Sequence, residues 1–371
     1  MKKYIYQQTD WPAFRWDNNT IIQPLAAVRH LQGKLTGKME ALGFRLRNEA
    51  VLETLALEVS KTSEIEGQIL NLDQVRSSIA VRLGMEISGL TPYDRNVDGI
   101  VEMMLDATQK YQNPMTADRL FGWHSLLFPS GWSGMYRIVV GNWRDDSTGP
   151  MQVVSGALGK ERVHYQAPPA ADVDKEMKAF LEWFNRKTEE DLIIKSAIAH
   201  IWFITIHPFE DGNGRIARAL SEMLLTRSDN SPRRFYSMSA QIRSGRKKYY
   251  DILEKTQRGS LDITEWMTWY LKCLEGALRS SEVILSKVLD KHMFLAKLAP
   301  VALNDRQRLM INKLLDDFEG NLTTSKWAKI AKCSQDTALR DIQDLLNKSI
   351  LGKNPSGGRS TSYLLYKSDI I

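Results

Sequence analysis

Apolar residues return at helical spacing along most of this chain, and that periodicity is the strongest limit on its fold. IIQPLAAVRHLQGKLTGKMEAL, NVDGIVEMMLDATQKY, VDKEMKAFLEWFNRK and ITEWMTWYLKCLEGALRSSEVILSKVLDK all carry it. Glycine and proline punctuate between such segments, at Gly131 to Gly134, Pro168 and Pro169, and Asn230 to Pro232. A chain of 371 residues exceeds one small core, so two or three mainly α-helical domains are expected. One region breaks the pattern: MQVVSG and RVHYQAPP are short, β-prone and joined by the turn-rich ALGKE. They predict a β-hairpin that needs support from the helical body. Its role is open between a structural element and an edge that receives an extended peptide by strand addition.

After Pro300 the character changes. DRQRLMINKLLDDF, TTSKWAKIAKCS and QDTALRDIQDLLNKSIL precede a Gly-rich turn, NPSGGRST, and a strand, SYLLY. Helix, helix-turn-helix and β-wing is the order of a winged-helix module. The spacing of Trp327, Ile330, Ala331, Leu339, Ile342 and Leu346 suits a small three-helix core. Residues 301–371 hold 11 Lys/Arg against 8 Asp/Glu, a weak excess for a DNA-binding surface. Asp336, Asp341 and Asp344 on the candidate recognition helix would repel phosphates. The module is therefore open to DNA or to a protein contact, including a homodimer.

Composition narrows the class without choosing a ligand. The hydrophobic share of 43% and charged share of 25% are those of a globular protein. A net charge of +6 fits nucleotides or nucleic acid and selects neither. Cys273 and Cys333 lie far apart, match no metal spacing and read as reduced thiols. No apolar run reaches the length of a membrane span, and no apolar stretch follows Lys2 and Lys3, so no membrane association and a cytoplasmic location are expected.

The chemistry concentrates in HPFEDGNGRIAR, His207 to Arg218. An apolar helix runs into His207, a tight turn follows, and a new helix opens at Arg215. Gly212 and Gly214 are expected to give the backbone conformations closed to other residues, so that N–H groups converge on an anion. The helix start adds its positive end there. Arg215 and Arg218 share a helical face and offer two guanidinium forks to phosphate oxygens. Asp211 supplies a hard oxygen for Mg²⁺, which bridges carboxylate and substrate phosphates. His207, with an ordinary pKa of about 6.5, suits a general base. Each element alone has a structural reading; their density in one short segment disfavours it.

This segment resembles the Fic-family signature HxFx(D/E)GNGRxxR at every fixed position. The resemblance implies that His207 deprotonates a Ser, Thr or Tyr hydroxyl of a target protein and that Asp211 holds Mg²⁺ against the α- and β-phosphates of ATP. Gly212, Asn213, Gly214 and Arg215 would form the anion hole, Arg218 would bind the γ-phosphate end, and Phe209 would anchor the loop. The unaltered GNG, unlike the loop of the phosphate-transferring Doc branch, implies nucleotidyl transfer with pyrophosphate leaving.

Further upstream, Thr62-Ser-Glu-Ile-Glu66-Gly67 resembles the family's inhibitory motif (S/T)xxxE(G/N). By that resemblance Glu66 pairs with Arg218 where the γ-phosphate would lie. Otherwise it is a solvated glutamate with Gly67 as a helix cap. The hairpin resembles the flap that aligns the target, which gives Val163, His164 and Tyr165 that role; GMYRIVVGNW, with Tyr136 and Arg137, resembles the segment before it. RKKYYDILEKTQRG resembles the adenine-pocket stretch, with Tyr250 as the aromatic face and Gln257 as polar partner, where many members have asparagine. The first fifty residues resemble the small N-terminal domain of such proteins.

The expected architecture is mainly α: an N-terminal helical domain over 1–50, a Fic core with inhibitory helix and flap over 51–298, and a winged helix over 299–371. The expected activity is AMP transfer from Mg-ATP to a protein hydroxyl, restrained by Glu66. The rivals are another nucleotide donor, removal of AMP, and a DNA-binding regulator that senses nucleotide.

Overall fold

Burial explains the layout of the computed structural model, which describes residues 4–85, 90–147, 149–156, 160–187, 189–315, 318, 320–354 and 361–366. Helix α7, Leu192–Ile206, is apolar on every side and buried from Ile193 onward, as such a helix must be. Asp191 caps it by accepting from Ile193 N–H. Helix α8, Asn213–Asp229, packs along it and is buried through Thr226. Around this pair lie α2 (Phe44–Ile65), α4 (Arg95–Gln109), α5 (Ala117–Leu127) and α6 (Ala170–Asn185). The remaining helices of this unit are α1 (Asn18–Glu40), α3 (Leu72–Arg82), α9 (Met238–Ser244) and α10 (Arg246–Gln257), followed by α11 (Thr264–Leu298).

Three antiparallel hairpins interrupt the helices. Strands β1 (Trp132–Ser133) and β2 (Tyr136–Arg137) form a minimal one where GMYRIVVGNW begins. The expected hairpin is β3 (Gln152–Ser155) against β4 (Arg162–Gln166), with a bulge between Val153 and Val154. Turn residues 157–159 lie outside the described residues.

Residues 4–85 and 90–285 form one unit, and residue 286 onward a second. The expected boundary at 50/51 falls inside α2, which runs unbroken across it and packs on α9 and α3. Glu58 explains that docking: its buried carboxylate accepts from Ser237 Oγ (2.7 Å), Ser239 N–H (3.0 Å) and Ser239 Oγ, and so caps the start of α9. The division near 285 likewise falls within the continuous α11 rather than at 298/299.

The second unit contains α12 (Asp305–Leu315), α13 (Thr324–Ile330) and α14 (Gln335–Asn347), then β5 (Leu351–Lys353) paired with β6 (Tyr363–Leu365). Its core gathers Met310, Ile311, Trp327, Ala338, Ile342 and Leu345. Leu339 is not in it, being 49% exposed; Ala338 and Leu345 join Ile342 on the buried stripe of α14, and Ile330, Ala331 and Leu346 pack against the core as partly buried residues. Residues Ser-Ile-Leu, expected to be helical, instead lead into β5, because Asn347 ends the helix and Ser349 turns left-handed. Residues 355–360 of the Gly-rich turn lie outside the described residues.

The acidic residues of α14 also read differently in place. Asp341 is buried and accepts from Asn304 Nδ2 (2.8 Å) and from Arg306 Nε (2.7 Å). Asp344 accepts from Gln307 Nε2 (2.8 Å) and pairs with Lys348 (2.6 Å). Both tie the unit together, and of the three acids only Asp336 stays exposed without such a tie.

Candidate active site

Helix α7 ends because His207 adopts a left-handed conformation, φ 52° and ψ 57°, rare for a residue with a side chain. Such backbone persists only where its surroundings hold it. Arg144 does so, since its buried guanidinium donates from Nε to His207 O (2.8 Å) and from Nη2 to Pro168 O, and its own N–H donates to Pro208 O (2.9 Å). The half-buried His207 ring lies with Nδ1 3.1 Å from Ile204 O. A carbonyl only accepts, so Nδ1 carries the proton and Nε2 keeps a free lone pair. Burial pushes the pKa of His207 down to about 4, so the ring is neutral at pH 7.

The loop beyond His207 is braced from inside. Asn213 is buried, accepting from Phe209 N–H (3.0 Å) and donating to Phe209 O (2.7 Å). Its side chain thus closes the loop, leaving only its backbone for an anion. His124 stacks on Phe209, with ring centroids 4.2 Å apart. Gly141 N–H donates to its Nδ1 (3.3 Å), so its Nε2–H is the donor to Asp211 O (3.2 Å). Burial holds it neutral, with a pKa of about 4. Glu210 accepts from Val139 N–H (2.8 Å).

Gly212, at φ +81°, sits in left-handed backbone and opens α8. The first bond inside α8 runs from Ile216 N–H to Gly212 O (3.0 Å), so the amides of 213–215 precede it and form a positive end suited to an anion. Gly214 corrects the expectation that both glycines serve backbone freedom. It lies within α8 without positive φ, and its need is for space: a Cβ there would overlap Glu66 Oε1.

Arg218 is 2% exposed and fully engaged on one side. Nε donates to Thr62 Oγ1 (2.7 Å), and Nη2 donates to Thr62 O (2.9 Å) and to Glu66 Oε1 (2.7 Å). Burial opposes its charge most strongly, but the Glu66 carboxylate together with Tyr249 and Tyr250 leaves the Arg218 pKa raised. Glu66 sits where α2 ends. Gly67, at φ +87°, turns the chain, with Gln68 N–H on Ser63 O (3.0 Å) and Gly67 N–H on Glu64 O (3.1 Å), a Schellman closure. A carboxylate at a helix C-terminus opposes the helix dipole, and Arg218 offsets that cost. Arg215 is also buried. It lies over the Phe128 ring (5.0 Å), 4.0 Å from Asp211 Oδ2, and its Nε finds no partner among the described residues. Burial lowers its pKa.

Asp211 keeps its side chain 45% exposed at the mouth, accepting from Gly212 N–H (2.6 Å) and from Ser133 Oγ. Among the described residues no group of three or more His, Cys, Asp or Glu side chains could hold a metal alone. A single carboxylate beside a phosphate cradle fits an ion shared with the ligand, as Mg²⁺ with a nucleotide is.

Tyr250, 36% exposed, places its hydroxyl 3.4 Å from Glu66 Oε2, with Arg246 over its ring (5.3 Å). Gln257 is buried and donates to Ile204 O (3.2 Å) at the end of α7. Val163, His164 and Tyr165, expected to form the flap, are committed to the body. Arg258 donates to Val163 O (2.8 Å) and His164 O (2.9 Å), His164 Nδ1 lies 2.6 Å from Glu254, and the buried Tyr165 hydroxyl donates to Thr205 O (2.7 Å). The edge of β4 is thereby closed, whereas β3 has no second strand beside it among the described residues. The sequence reading missed Arg144, His124, Ser133 and Glu58, because each acts through residues far away in the chain.

Residues 114–225 match the Fic/DOC family, and residues 4–85 match a domain of unknown function (DUF4172). His207 to Arg218 lies inside the first match and Glu66 inside the second. The chain is 27% identical over 220 residues to protein adenylyltransferase Fic of Aedes aegypti, covering 58% of this chain and 39% of that protein. It is 30% identical over 182 residues to protein adenylyltransferase fic-1 of Caenorhabditis elegans, covering 48% of this chain and 33% of that protein. The chain thus spans less than half the length of either relative. A Fic family protein from Desulfovibrio desulfuricans G20 shares the fold, with a TM-score of 0.52 at 21% identity over 94% of this chain and 96% of that one. No helix among the described residues is long and apolar enough to cross a membrane.

Proposed function

The chain belongs to the Fic/DOC family through residues 114–225, and from that premise we propose that it transfers AMP from Mg-ATP to a Ser, Thr or Tyr hydroxyl of a protein, with Glu66 as its brake. The observation that carries this is the neutral His207, its Nε2 lone pair free, on the loop that opens α8. His207 Nε2 takes the proton of the attacking hydroxyl as its oxygen bonds to the α-phosphorus. The bond from that phosphorus to the bridging oxygen breaks, and pyrophosphate leaves with the electron pair. The amides of 213–215 and the Arg215 guanidinium offset the charge gathering on the phosphoryl oxygens. Asp211 would hold Mg²⁺, which supplies charge neutralisation at the phosphates. Arg218 would receive the γ-phosphate once Glu66 withdraws, and Tyr250 would face the base.

The closed edge of β4 favours β3, rather than Val163, His164 and Tyr165, as the strand that aligns a target peptide. ATP as donor and two unpaired thiols favour the cytoplasm. The test is mass spectrometry of the Glu66→Gly protein incubated with Mg-ATP and host lysate. AMP adducts that vanish in the Glu66→Gly, His207→Ala double variant are expected; their absence from Glu66→Gly itself would overturn the reading.

A second reading, DNA contact through the second unit, is favoured by the internal ties of Asp341 and Asp344, which remove two of the charges that would repel phosphates. A gel shift with genomic fragments tests it: failure to form a specific, salt-resistant complex would dispose of it.

A further inference from the structure

Asp211 is steadied from outside its own loop. Its carboxylate accepts from Gly212 N–H at Oδ1 (2.6 Å) and from Ser133 Oγ at Oδ2, and its carbonyl accepts from His124 Nε2–H (3.2 Å). We propose that Ser133 is a positioning residue, whose hydroxyl keeps the Asp211 carboxylate turned toward the metal of the nucleotide and away from Arg215. The inference rests on the reading of Asp211 as the Mg²⁺ ligand.

The β1–β2 hairpin brings this one side chain inward. Gly131 N–H donates to Phe128 O (3.0 Å) just beyond α5, and Ile138 N–H donates to Gly131 O (3.1 Å), so the hairpin is closed at its base. Gly134, at φ +57°, begins the two-residue turn between the strands, where a tight hairpin needs positive φ. Successive strand residues face opposite sides. Trp132, Met135 and Tyr136 are exposed, whereas Ser133 is half-buried and spends its hydroxyl on Asp211.

That hydroxyl matters because the other anchor of the carboxylate is local. Gly212 N–H belongs to the next residue, and a contact so close in the chain leaves the broad terminal torsion of an aspartate free to turn. The partner waiting for it is Arg215, one helical turn on, with Nη2 4.0 Å from the same Oδ2. Without Ser133 the two close into an ion pair, and a metal ligand and a phosphate-binding guanidinium are spent on each other. An anchor 78 positions away in the chain removes that freedom. It does not block the ion, since an ionised carboxylate has about four lone-pair sites and only two are taken by these donors.

The test is calorimetric titration of the α,β-methylene analogue of ATP, which cannot release AMP, into Glu66→Gly protein with Mg²⁺ and with EDTA. The ratio of the two affinities reads what the metal contributes. Partners that orient a metal ligand are worth about 10–100-fold in metal affinity, and the partly exposed carboxylate puts Ser133→Ala at the lower end, a fall of about tenfold in the ratio. A merely structural loss would lower both affinities alike and leave the ratio intact. Ser133→Thr should keep the ratio, and Ser133→Val, of the same shape without the hydroxyl, should lose it; this pair decides the matter where Ser133→Ala fails to fold. Asp211→Ala should lower the ratio at least as far, and Ser133→Ala should add nothing in that background. An unchanged ratio in Ser133→Ala or Ser133→Val, beside a fallen one in Asp211→Ala, would overturn the role of Ser133 alone. An unchanged ratio in Asp211→Ala, or no binding by Glu66→Gly, would overturn it together with the reading of the metal site.

Discussion

The pair between Glu66 and Arg218 can be removed with little collateral damage, which makes its role measurable. In the folded chain one charge-assisted bond of 2.7 Å joins them, while Thr62 supplies two further acceptors to the same guanidinium. Glu66→Gly therefore leaves Arg218 in place. Position 66 has φ −85° and ψ 6°, which glycine adopts without strain, and a carboxylate there faces the negative end of α2. A hydrogen bond to a charged group contributes about 1.5–3 kcal/mol net. The Glu66 side chain is 32% exposed, which puts its share near the lower figure. If phosphate must displace it, apparent Mg-ATP affinity should tighten about tenfold in Glu66→Gly, since 1.4 kcal/mol is a factor of ten. Glu66→Gln, which keeps an acceptor but not the charge, should fall between. Calorimetric titration of the three proteins reads the affinity, and AMP incorporation reads the consequence. A cycle with Arg218→Ala makes the comparison strict, because the gain should disappear when the arginine is gone. Equal affinity in wild type and Glu66→Gly, or a gain that survives loss of Arg218, would refute the reasoning.

Other consequences can be checked separately. Arg144→Ala removes the brace on His207 O and Pro168 O from a buried position, so urea unfolding should show a loss of about 2–4 kcal/mol, and AMP transfer should fall with Mg-ATP affinity little changed. Glu58→Ala unties α2 from α9; a comparable loss is expected, and AMP transfer should rise because the helix bearing Glu66 is looser. His200 is buried between Tyr249 and Ser221, and burial lowers its pKa from 6.5 to about 3. The unfolded chain then binds the proton first. His200's contribution is complete above pH 6.5 and is lost as pH falls toward 3, by up to about 1.4 kcal/mol per pH unit. Urea midpoints at pH 7, 6 and 5 should fall more steeply for wild type than for His200→Phe. Asp341→Ala should lower the stability of the second unit by about 1–3 kcal/mol, which differential unfolding of the two units would detect.

What could be read in the sequence was what is local in the sequence. Helical periodicity, the hairpin, and the candidate site segment His207 to Arg218 all depend on spacings of a few positions. Gly214 marks the limit. Its presence was legible, but its reason was not, because the atom that excludes a side chain there is Glu66 Oε1, which only packing of α2 against α8 brings near. Leu339 makes the same point on a smaller scale: it stands at helical spacing from Ile342 just as Leu345 does, and only the partner surface decides which of them is buried. Asp341 and Asp344 read as exposed repulsive charges until Asn304, Arg306 and Gln307 are seen to meet them. Arg144 carries the argument furthest. It stands outside the signature, yet it holds the carbonyl of His207 in a backbone conformation that the histidine would not keep unaided. A chain with every signature residue intact and alanine at 144 should therefore bind nucleotide and transfer it poorly, because the signature specifies the reacting groups while distant residues fix their geometry.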